Sequence, residues 1–270
     1  MNESSTGGRP VRIESMGHAA FAATMIGLGV LGLVKRDFAP IWEPVPKGLP
    51  ARAMLIWLCA LIALASGLGL LWRRAAPYAA RLLLAYLLLW LLVLRVPNIF
   101  ISPTVDVWYS SCQTAVVVAA AWVLYAWFAP GRDSQRFGFA TGDKGLRIAR
   151  VLYGVALIPF GLAHFVYLQA TAPLVPAWLP AQVAWAYFTG GTFVAAGIAM
   201  LICVCARLAA ALSALQIGLF TLLVWVPIVA SGTANASQWG EFVVSWVLTA
   251  GGWVVADSYR GLPWLAVGKR

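Results

Sequence analysis

Eight stretches of this chain are too long and too apolar to lie anywhere but in hydrocarbon: about 18–34, 53–72, 78–96, 108–128, 149–169, 183–206, 208–230 and 240–257. A helix rises about 1.5 Å per residue, so roughly 17–25 apolar residues cross the ~30 Å hydrocarbon core of a bilayer. Within that core every backbone N–H and C=O must find a partner, which a helix provides inside its own segment and an open strand does not. The alternation of period two that a membrane barrel requires is absent. With 62% hydrophobic and 10% charged residues, the chain lies far from the roughly 45–50% apolar and 25% charged residues of soluble domains. The fold class that follows is an all-α membrane protein with eight transmembrane helices. The first stretch is diluted by Gly17, Gly27, Gly29 and Gly32 and preceded by Arg9 and Arg12, as a secretory signal would be. It runs without a small-residue cleavage site into Val34-Lys35-Arg36, and so reads as a true span.

Charge then sets the orientation. With eight spans the two chain ends share one side of the membrane. Fourteen of the 19 lysines and arginines fall on that side, and five (Lys35, Arg36, Lys47, Arg52 and Arg95) fall on the other. The positive-inside rule predicts a multi-pass protein of a bacterial-type plasma (inner) membrane with both termini cytoplasmic. The net charge of +10 is accordingly an orientation device and an attraction to the lipid bilayer's anionic headgroups, with no nucleic-acid footprint.

The chain also repeats itself. Val45-Pro46, Leu49-Pro50-Ala51, Gly67 and Val96-Pro97 recur 130 residues later as Val175-Pro176, Leu179-Pro180-Ala181, Gly197 and Val226-Pro227, and Trp108 and Trp122 recur as Trp239 and Trp253 after a one-residue slip. Matching prolines and tryptophans are less easily produced by chance than matching leucines. The organisation expected is a tail (1–17), a first four-helix repeat (18–128), a polar linker (129–148), a second four-helix repeat (149–257) and a tail (258–270). Each repeat holds an even number of spans, so the two are parallel, related by an axis along the membrane normal.

The second half carries Gly161-x-x-His164-Phe165, then Val175-Pro176-x-Trp178-Leu179-Pro180, then Thr189-Gly190 and Ala196-Gly197, then Arg207-x-Ala-Ala. This pattern resembles the DoxX-like family of small four-helix membrane proteins. The first half resembles it in degraded form, with Val34 where His164 would fall. The resemblance implies a redox-linked accessory role: interaction with a quinone, or service as the membrane subunit of a soluble or membrane oxidoreductase. Two other classes stay open, a small-molecule transporter, which tandem repeats favour, and a structural or assembly partner without activity of its own.

The ligand-binding candidates are His164, Tyr167, Trp178, Trp185 and Glu241, with Arg95 from the other half. Ionisable groups inside a membrane are costly and tend to face a cavity or a partner. His164 falls in the outer third of span five and Glu241 at similar depth in span eight. If they meet, the carboxylate would fix the imidazole tautomer and leave the other ring nitrogen for a ligand; otherwise each is an ordinary boundary residue. Trp178, between two prolines, reads as a lid, whereas Trp42, Trp108, Trp225 and Trp239 read as an interfacial belt. Arg95 either adds a positive charge to the site or snorkels to the headgroups. Cys203 and Cys205, two apart on an expected helix, would point about 200° apart and could not share a metal. Cys59 and Cys112 are expected at similar depth, as neighbours or as separate buried thiols. No metal constellation, nucleotide loop or catalytic triad is present, and Asn235-Ala236-Ser237 matches a glycosylation acceptor.

Overall fold

The computed structural model describes residues 13–46 and 48–268. Eight helices are long and apolar enough to cross a membrane: α1 (Met16–Lys35), α2 (Arg52–Leu71), α3 (Ala76–Ile101), α4 (Val105–Phe128), α5 (Gly142–Val166), α6 (Gln182–Leu201), α7 (Ala206–Ala230) and α8 (Ala236–Asp257). Their starts follow from capping chemistry. Ser15 accepts a hydrogen bond from the His18 amide, Thr104 from Val107, and Asn235 from Gln238, whose own side chain reaches back in a full capping box. The Asn235-Ala-Ser triplet therefore has a structural reason of its own.

Several boundaries differ from expectation, two of them with consequences for the site. Helix α5 begins seven residues early, because the polar stretch after Gly142 continues the helix beyond the apolar run. Helix α6 stops at Leu201, which leaves Cys203 and Cys205 in a turn and not on a helix. The expected linker is also more ordered than its polarity suggests. Residues Gly131–Arg136 form a short helix whose Asp133 accepts from Tyr125 Oη at 3.0 Å, and the Trp122 indole donates to Ala140 O at 3.0 Å.

Consecutive helices pack side by side, and the α4–α5 and α8–α1 contacts close the row into a ring. A direct α4–α8 contact pinches the ring across its middle. Helix α4 is buried along nearly its whole length, so α1–α3 and α5–α7 form two outer walls around a central pair. The chain ends meet on one face, where the Gly17 amide donates to Asp257 Oδ2 at 3.0 Å. Close approach of α5 to α6 requires glycine: a Cβ on Gly161 would lie 2.4 Å from Gly190 O, and one on Gly197 2.6 Å from Gly154 O.

The 130-residue offset has a backbone counterpart. Leu91–Arg95 and Thr221–Trp225 each form one turn of π-helix, in which the amide of Val96 or Val226 reaches back five residues. Both turns lie just before a proline, whose missing N–H and bulky ring disfavour regular α pairing there. Ala51 and Ala181, also 130 apart, both precede their helices in the left-handed region, at φ 54° and 55°.

In the first half the chain fills the end of the bundle that lies away from the chain ends. Phe38, Ile41, Trp42 and Val45 from the α1–α2 connection are buried. Trp42, 2% exposed, packs its ring 5.4 Å from Tyr86 and 5.7 Å from Trp90. Its burial overturns the belt reading for this tryptophan. Arg95 is neither a snorkelling anchor nor a part of any second-half site. Its guanidinium is 2% exposed and donates to Trp42 O at 2.9 Å, Pro44 O at 3.0 Å, Glu43 O, and Thr114 Oγ1 at 3.2 Å. The π turn rotates Arg95 inward, and the carbonyls of the inserted segment take up its donors.

Candidate functional site

The second half does not fill itself in this way. A cavity of about 860 Å³ runs among α5, α6, α7 and α8, closed at one end by residues of 171–179 and touched by Tyr109 of α4. Its walls are apolar apart from a few side chains, the kind of surface that takes a hydrophobic ligand and orients it by a small number of polar contacts. Phe188 on α6 and Leu212, Leu215 and Leu219 on α7 line the cavity and are exposed, Phe188 by 60%. The cavity is therefore accessible along the side formed by α6 and α7.

Three of the six sequence candidates share this cavity: His164, Trp185 and Glu241. His164 Nδ1 lies 2.8 Å from Phe160 O. A carbonyl can only accept, so Nδ1 carries the hydrogen, and in the neutral ring Nε2 keeps a lone pair. The ring stacks on Phe220 with centroids 5.8 Å apart and packs against Phe193 at 5.7 Å. No hydrogen bond or ion pair joins His164 to Glu241, although both lie on the cavity wall. The expected carboxylate-fixed tautomer is thus replaced by one fixed by the helix's own backbone, which is available to any histidine four residues after an open carbonyl.

The other three candidates lie elsewhere. Trp178 is 70% exposed and off the cavity wall, so it is no lid over this cavity. Tyr167 ends α5 outside the wall, where partial desolvation and the neighbouring Asp106 carboxylate push its phenol pKa up. Arg95 is held in the first half, as described. Lys47 and Gly48 stand 130 residues before Ala177 and Trp178, and Lys47 lies outside the described residues.

Sequence reasoning missed Gln216 and Thr192. Thr192 Oγ1 donates to Gln216 Oε1 at 2.7 Å, and Gln216 Nε2 donates to Thr189 O at 3.0 Å. These bonds tie α6 to α7 at the cavity wall. The signal was present, since a glutamine inside an apolar span is as informative as a histidine. Deeper on the α8 side, Thr221 Oγ1 lies 2.7 Å from Ser245 Oγ and 3.0 Å from Thr249 Oγ1. Cys59 and Cys112 are buried free thiols. Cys203 and Cys205 are half-buried free thiols at φ 57° and 49°, and the helical-phase argument against their acting together does not hold. Their backbone pairs with the C-terminal segment through Cys205 N to Ala266 O at 2.7 Å and Gly268 N to Cys203 O at 3.2 Å. No group of three or more metal-ligating side chains occurs among the described residues.

Compared with known proteins, the chain matches no family model, no curated protein and no solved structure. The resemblance to DoxX-like proteins rests on the residues that carry it.

Proposed function

We propose that the protein is a redox-linked membrane accessory that draws a quinone from the bilayer between α6 and α7 and seats its headgroup beside His164. The observation that supports it is an accessible apolar cavity with one imidazole nitrogen, His164 Nε2, free to bond a guest. A neutral Nε2 accepts a proton from a quinol hydroxyl, and a protonated one donates to a quinone carbonyl. Glu241 offers a second acceptor on the same wall, and the guest's apolar tail remains with the leucines of α7. The DoxX-like resemblance points the same way and adds a partner, a soluble or membrane oxidoreductase subunit that uses the held quinone.

Mass spectrometry of the protein purified in mild detergent is expected to find a quinone bound to the wild type and to Val34→Ala. His164→Ala, which removes a half-buried hydrogen-bonding group worth about 1–3 kcal/mol, is expected to retain at least about fivefold less. Recovery of phospholipid alone, or equal retention by both variants, would overturn the reading, and counter-flow uptake in proteoliposomes would replace it with transport.

The same reading places both chain ends in the cytoplasm of a bacterial-type inner membrane. Ala177 and Gln135 are both exposed and lie on opposite faces of the bundle. An impermeant thiol reagent added outside intact cells is expected to label Ala177→Cys and spare Gln135→Cys. The reverse pattern inverts the orientation.

A further inference from the structure

The two halves share one scaffold, and the first half holds a guest of its own making. Its guest is the Trp42 indole, seated against Tyr86 and Trp90 of α3. The residues 130 positions later are Gln216 and Phe220 of α7, and both line the second-half cavity. The counterparts of the groups that anchor the inserted segment line it too: Trp225 stands at the position of Arg95, and Ser245, after the one-residue slip, at that of Thr114.

The connecting segments differ where it matters. Trp42 closes a 3-10 turn, Pro40–Trp42, two residues before Val45-Pro46. In the second half the 3-10 turn Ala172–Leu174 runs directly into Val175-Pro176. By the 130-residue offset the position of Trp42 falls to Ala172, a methyl group off the cavity wall, and the turn ends two residues later on Leu174, which reaches the wall but is far smaller than an indole. The first half fills the space with a side chain, and the second half leaves it open.

We infer that the second-half cavity takes a ligand with a planar ring of about indole size, lying against Phe220 and Gln216 in the seat that Trp42 occupies in the first half. This rests on the quinone reading for the class of ligand and goes beyond it in assigning the ring's position and the residues that select a ring over a simple acyl chain. Phe220 already stacks with His164, so a ring in this seat lies next to the free imidazole nitrogen. Offset stacking on an aromatic face favours a flat π system over a flexible chain.

The experiment gives the second half the first half's guest. Binding of a short-chain, fully ring-substituted benzoquinone and of a ring-free C16 fatty acid is measured on the purified full chain in mild detergent. Leu174→Trp is expected to lose quinone binding, because the introduced indole fills the seat. Phe220→Leu, which keeps apolar bulk but removes the ring, is expected to weaken it about five- to tenfold, in line with the usual worth of an aromatic pair. It also serves as the second test should Leu174→Trp fail to fold. If the wild type binds the quinone and both variants bind it equally well, the ring lies elsewhere; the assignment falls and the quinone reading stands. If the wild type binds only the fatty acid, or neither compound, both fall.

Discussion

Arg95→Leu is expected to be among the most damaging single substitutions outside the cavity, lowering stability by about 2–4 kcal/mol and releasing the 37–46 segment. The side chain satisfies three carbonyls and one hydroxyl from a buried position. Leucine leaves those carbonyls without donors, at about 1–3 kcal/mol each, and returns part of that through the avoided cost of burying a guanidinium. The first term wins because the acceptors stay where they are: the inserted segment is covalently fixed and its aromatic residues still favour burial. Thermal unfolding in detergent, with limited proteolysis of the 37–46 segment, checks it. Arg95→Lys keeps the charge but has one nitrogen to offer to acceptors spread along three consecutive residues, and is expected to fall between wild type and Arg95→Leu. A change within about 0.5 kcal/mol for Arg95→Leu, the range of an ordinary surface substitution, would show that the bonds do not hold the segment.

Gly190→Leu is expected to disrupt the second half as strongly as Arg95→Leu disrupts the first. A Cβ at Gly190 would come 2.9 Å from Gly161 O, 2.9 Å from His164 Cβ and 2.7 Å from the Phe165 ring. Two of these atoms belong to the backbone or the base of a side chain and cannot swing away, so α5 and α6 must separate. Overpacking of this kind costs typically about 1–3 kcal/mol, and the displaced residue is the histidine proposed to hold the ligand. Gly191 supplies an internal control, since a Cβ there meets nothing within 4 Å. Gly191→Leu is expected to keep both thermal stability, to within about 0.5 kcal/mol, and ligand retention. Equal losses at the two neighbouring glycines would mean that the α5–α6 contact does not govern the effect, since helix propensity favours leucine over glycine at both positions.

What the chain settles by itself is what depends on local composition. The number of spans, the shared face of the chain ends and the 130-residue offset were legible because apolar runs, prolines and tryptophans act within a turn or two of where they stand. The Gly161-x-x-His164 pattern entered through the family resemblance and not through its spacing, and the structure presses both residues against Gly190. The expectations that changed each depended on where a side chain points after the helices have packed. Arg95 turns inward because a π turn shifts its phase, and Trp42 is buried because its connection folds back into the bundle, neither of which leaves a periodic trace in the sequence. His164 and Glu241 share a wall without touching, because similar depth along two helices does not bring their faces together. Cys203 and Cys205 lie beyond the end of α6, where an apolar run continues after the helix has stopped. Which half stays open was decided last, by tertiary structure alone: two connections of nearly equal length end their 3-10 turns on Trp42 in one half and, two residues out of register, on Leu174 in the other, and only packing shows that one of them fills the space and the other does not.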